Sequence, residues 1–85
     1  MQKHIKHNST PITPDEVKAI VLRSLPDAEV LVNDMTGTQD HFEIHAASKA
    51  FVGKTLMEQH KVIYAILADE MDSRIHALKL KTRAL

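Results

Sequence analysis

The stretch 41-HFEIHAASKAFVGKTLMEQHKVIYAIL-67 decides the fold. Its first eight residues alternate, with Phe42, Ile44 and Ala46 on one side and His41, Glu43 and His45 on the other. That is the period of a half-buried strand. A turn segment, 49–54, follows, with Phe51 placed to tuck under the domain. Thr55 and Glu58 then form a capping box after Gly53, because the threonine hydroxyl and the glutamate carboxylate satisfy each other's backbone N–H groups. Leu56, His60, Ile63 and Leu67 continue at helical spacing, with Tyr64 and Met71 nearby, so a long helix is expected over 55–71. Beyond it "IHALKLK", residues 75–81, reads as another strand. A helix-containing connection between two neighbouring strands makes them parallel, with a right-handed crossover.

Upstream, Thr13-Pro14-Asp15-Glu16 is a second helix start. Thr13 caps, Pro14 suits the first helical position, and Glu16 closes another capping box. Val17, Ile20, Val21 and Ser24 share one face until Pro26 stops the helix, which spans 14–25. "AEVLVND" (28–34) puts Ala28, Val30 and Val32 on one side of a short strand, and the loop 35–40 with Gly37 joins it to the 41–48 strand as an antiparallel hairpin. The order α-β-β-α-β implies an α+β domain of two layers: a three-stranded mixed sheet with helices on one face. The order resembles a KH-like (class II) arrangement. A KH motif needs a GXXG loop to clamp a nucleic-acid backbone, and "FVGKT" has one glycine where two are required. Residues 1–12 read as a flexible tail and 13–85 as a single domain.

Composition narrows the function. Eleven basic side chains balance eleven acidic ones in 85 residues, so no overall field steers the chain onto nucleic acid or an anionic membrane. The longest apolar runs fall far short of a membrane span, and the basic start lacks the apolar segment of a secretory signal. The absence of cysteine removes disulfides, a thiol nucleophile and any self-sufficient thiolate metal site, and it fits a reducing compartment. No nucleophile–base pair or carboxylate spacing suggests an enzyme: Ser48 has no adjacent base, and Asp69, Glu70 and Asp72 read as a solvated cluster at a helix end. "GK" in "FVGKT" lacks the upstream glycine of a phosphate loop.

Six histidines are many for this length. His4 and His7 fall in the tail, His60 reads as core, and His41 and His45 read as solvated residues on the open sheet face, paired with Glu43 or cross-strand lysines. His76 opens the last strand, and alternation puts it on the apolar side with Leu78 and Leu80. Two readings stand for it: a packed, hydrogen-bonded core residue, or a ligand at the sheet rim. Parallel strands begin at one edge, so His41 and His76 both lie beside the 35–40 loop, yet alternation assigns them to opposite faces. A second feature is a C-terminal basic strip, Arg74, Lys79, Lys81 and Arg83, to which Lys49 and Lys54 of the turn add charge.

Taken in order, the HFEI strand with Ser48, the Phe51-Val52-Gly53-Lys54 turn, Gln59-His60 with Tyr64, and Ile75-His76-Ala77-Leu78 resemble the BolA family over about residues 13–82. The resemblance implies a non-enzymatic adaptor that pairs with a monothiol glutaredoxin and its glutathione, and shares a bridging 2Fe–2S cluster with it. It places the work in iron–sulfur cluster trafficking, iron homeostasis or the stress response, in the cytoplasm or in an organelle of bacterial origin. It also implies that His76, the histidine of the IHAL motif, is a metal ligand. The hairpin-loop position where relatives often carry cysteine is Thr38 here, which leaves His41 as the nominee for the second ligand. Imidazole can replace thiolate on one iron of such a cluster, so a cysteine-free chain has to borrow its sulfur. The alternative the family suggests is a DNA-binding transcriptional regulator using the basic strip. A homodimer is also open to such a chain.

Overall fold

The computed structural model describes residues 10–71 and 73–85. His4, His7 and Asp72 lie outside the described residues, as do the first nine positions of the expected tail. The elements are α1 (Pro14–Ser24), β1 (Glu29–Asp34), β2 (His41–Ser48), a short 3-10 turn (Lys49–Phe51), α2 (Leu56–Ile66) and β3 (Ala77–Ala84). Both expected capping boxes form: Thr13 with Glu16 starts α1, and Thr55 with Glu58 starts α2. The sheet order is β1-β2-β3. β1 pairs antiparallel with β2, Val32 opposite Ile44, and β2 pairs parallel with β3, His41 opposite Ala77 and Phe42 opposite Leu78. The fold is α+β, with two helices against a three-stranded mixed sheet.

The core lies between the helices and one sheet face. Phe42, Ile44, Val17, Val21, Ile63, Leu67 and Phe51 are fully buried there, and Val30, Val32, Leu78 and Leu80 close its edges. Ile12, directly before the Thr13 cap, is also fully buried.

Three sequence-based expectations need correction. The second helix ends at Ile66, where Leu67 caps it with its N–H on Ile63 and Ala65 carbonyls, five residues short of the expected end. The acidic residues Asp69 and Glu70 follow, and negative charge disfavours a helix C-terminus. The chain instead wraps round Glu70, whose carbonyl accepts the N–H groups of Ser73, Arg74 and Ile75 at 3.3, 3.0 and 2.8 Å. The last strand starts two residues later than expected, at Ala77. On α2, Leu56 is 59% exposed and Gln59 is buried in its place. That burial is tolerated because the Gln59 amide donates to the Lys54 carbonyl (3.1 Å) and its oxygen accepts from Thr82 (2.7 Å). His60 is half-buried with its Nε2 unpartnered among the described residues.

Candidate metal-ligating rim

The late start of β3 changes where His76 points. In a strand, successive N–H groups point to opposite sides. Here the N–H groups of both His76 and Ala77 reach the same acceptor, the Asp40 carbonyl, at 2.8 and 3.3 Å. The alternation is reset at this bend. Ile75 takes the interior, fully buried, and His76 is exposed. The expectation that His76 shares the apolar side with Leu78 and Leu80 is therefore corrected. So is the assignment of His41 and His76 to opposite faces, because their rings lie side by side with centroids 6.4 Å apart and planes tilted by 45°.

The 35–40 loop builds the floor beneath them. Asp34 at the end of β1 accepts the N–H groups of Thr36 (3.3 Å), Gly37 (3.0 Å) and Gln39 (2.9 Å) with its two carboxylate oxygens. Met35 N–H closes the hairpin on the His41 carbonyl at 2.8 Å. Gly37 adopts φ +76°, a value glycine reaches without Cβ strain. The loop delivers Asp40 against His41, with carboxylate and Nδ1 2.8 Å apart. The Thr38 hydroxyl donates to the same carboxylate oxygen. That hydroxyl, then the His41 hydrogen bond, hold the Asp40 carboxyl below the ordinary aspartate range, against a smaller opposing effect of burial. The His41 side chain is 39% exposed, and the His76 ring has no hydrogen-bond partner among the described residues. Two accessible imidazoles thus share one corner of the sheet, one of them held from behind. Among the described residues no group of three or more His, Asp or Glu is placed to hold a metal ion. Sequence reasoning missed Asp40, and its signal was adjacency: an acid directly before a histidine at a loop–strand junction.

Lys79, Lys81 and Arg83 share one exposed side of β3, and Arg74 lies before its start. The Arg74 guanidinium is forked onto Glu70 at 2.8 and 3.0 Å, reaches the Thr10 carbonyl at 3.4 Å, and its side chain is only 13% exposed. Lys81 and His45 both face Glu43, at 3.8 and 3.4 Å, and Arg83 faces Glu29 at 3.5 Å. Burial pushes the Glu43 carboxyl up, but His45, Lys79 and Lys81 outweigh it and hold it low. Arg74 precedes one end of β3, and Lys49 follows the far end of β2, so the sheet separates them by roughly 23 Å of strand. Lys54, in the turn after Lys49, shares that far end.

The chain matches the family profile described as BolA-like protein over residues 13–85. It belongs to the BolA-like family. This BolA-like chain is 35% identical over 71 residues to Protein BOLA2 of Arabidopsis thaliana, covering 82% of this chain and 75% of that one. It superposes on the structure of a bolA protein homologue from Coxiella burnetii with a TM-score of 0.73 at 30% identity, covering 86% of this chain and 91% of the other. It is also 36% identical over 50 residues to the DNA-binding transcriptional regulator BolA of Escherichia coli, a match that spans 59% of this chain and 48% of that protein. Among the described residues no helix of this BolA-like protein is long and apolar enough to cross a membrane.

Proposed function

We propose that this BolA-like chain is a non-enzymatic adaptor that pairs with a monothiol glutaredoxin and gives histidine ligands to a shared 2Fe–2S cluster. The observation that carries the reading is the exposed His76 ring beside His41 at one rim of a cysteine-free chain. The donor set fits. Imidazole nitrogens can hold one iron of such a cluster, while the thiolates that hold the other have to come from the partner and its glutathione. His41 and His76, with ring centroids 6.4 Å apart, are the side chains that would hold the iron on this chain's side of such a cluster. The adaptor acts in the cytoplasm or in an organelle of bacterial origin, in cluster trafficking, iron homeostasis or the stress response. The test is reconstitution with a monothiol glutaredoxin, glutathione, ferrous iron and sulfide, read by visible absorption. His76→Ala is expected to abolish or shift the absorption bands, and a spectrum and cluster lifetime equal to wild type would refute the ligand role.

A second reading has one observation in its favour, the name of the Escherichia coli relative. In it Lys79, Lys81, Lys49 and Lys54 contact phosphate, while Arg74 stays occupied by Glu70. Such binding weakens steeply with salt, and a gel shift without retention at low salt disposes of it.

A further inference from the structure

Asp40 touches both halves of the rim with different atoms. Its carboxylate meets His41 Nδ1, and its carbonyl accepts the N–H groups of His76 and Ala77. A neutral imidazole carries one proton, and the nitrogen that holds it cannot bind a metal. In water the neutral histidine ring favours the proton on Nε2. An ionised carboxylate only accepts hydrogen bonds, so a ring pressed against one has to place its proton on the facing nitrogen. At His41 that nitrogen is Nδ1.

We propose that Asp40 is a positioning residue for His41: it selects the Nδ1–H tautomer, leaves the Nε2 lone pair bare and aimed outward, and ties that ring to the backbone that carries His76. The proposal rests on the reading of His41 as a ligand and extends it to the residue behind the ring. The Thr38 hydroxyl contributes by occupying the same carboxylate oxygen, which fixes the carboxylate orientation. It thus gives the residue at the cysteine position of relatives a supporting role in place of a ligating one.

Long-range proton–nitrogen spectra of the metal-free protein, recorded well above the imidazole pKa, read the tautomer directly. Wild-type His41 is expected as Nδ1–H. In Asp40→Asn the amide can donate to Nδ1, so His41 shifts to Nε2–H, while the amide signals of β2 and β3 stay in place. Loading of the reconstituted glutaredoxin complex is expected to weaken about ten- to hundredfold in that variant, with partial recovery in Asp40→Glu. A wild-type His41 already in the Nε2–H form overturns the proposal, as does an Asp40→Asn protein whose tautomer is unchanged. Normal loading of Asp40→Asn beside failed loading of His41→Ala overturns the role of Asp40 alone. Normal loading of His41→Ala overturns the ligand reading of His41 and this proposal with it.

Discussion

Replacing Ile75 and His76 one at a time measures which of the two neighbours faces the core. Ile75 is fully buried. Ile75→Ala removes three methyl or methylene groups, about 2.4 kcal/mol of transfer free energy at about 0.8 each. A residual cavity of about 60–80 Å³ adds about 1.5–2 kcal/mol, for a total near 4 kcal/mol. That is a large fraction of the stability of an 85-residue domain, so the milder Ile75→Val is the working variant, at about 0.5–1.5 kcal/mol. With about 4–8 °C per kcal/mol for a domain this size, it lowers the midpoint of thermal unfolding by about 2–12 °C. His76 is exposed and its ring has no hydrogen-bond partner among the described residues, so His76→Ala is expected within about 0.5 kcal/mol of wild type. Circular dichroism melts of the metal-free protein decide the matter. Strand alternation carried unbroken through residue 76 demands the opposite ranking. If His76→Ala costs more than Ile75→Val, the bend at Asp40 is not where the structure puts it.

Other outcomes follow from the same coordinates. The Asp27 carboxylate accepts from Lys49 N–H (2.7 Å) and Ser48 Oγ (2.9 Å), which hold its pKa below the ordinary 3.8. The stabilisation is therefore complete above that value and lost as pH falls through the lower folded-state pKa; in urea titrations Asp27→Asn is expected to be less stable than wild type at neutral pH and to converge on it in acid. Gly53 has φ +78° with open space around a built Cβ. Gly53→Ala therefore costs only the left-handed backbone penalty, about 1–2 kcal/mol, read as a lower melting midpoint. Arg74→Gln breaks the fork to Glu70 and lowers stability while leaving any DNA retention in gel shifts unchanged. Lys79→Gln, at an exposed position, does the reverse.

The parts of the fold that local chemistry determines were legible in the residues. Two threonine–glutamate boxes set both helix starts, and alternation through 41–48 set the central strand and its buried face. What escaped depends on partners distant in sequence. His76 turns outward because its N–H, with that of Ala77, goes to the Asp40 carbonyl, which no local period reports. Gln59 is buried because Thr82 and the Lys54 carbonyl await its amide, although apolar spacing pointed to Leu56. Arg74 looked like a free cation, although Glu70, four residues earlier in the chain, was a partner the spacing offered. For the candidate site, sequence located the corner of the sheet but assigned the two rings to opposite faces.

The parallel pairing of β2 with β3 carries a thermodynamic consequence. His41 and His76 are neighbours only while the crossover between them is closed, and the unfolded chain offers two isolated imidazoles that grip nothing together. Any ligand that clasps both rings is therefore linked to the folding equilibrium of the whole domain. At a hundredfold excess over its dissociation constant it deepens the native well by about 2.7 kcal/mol, and unfolding releases it.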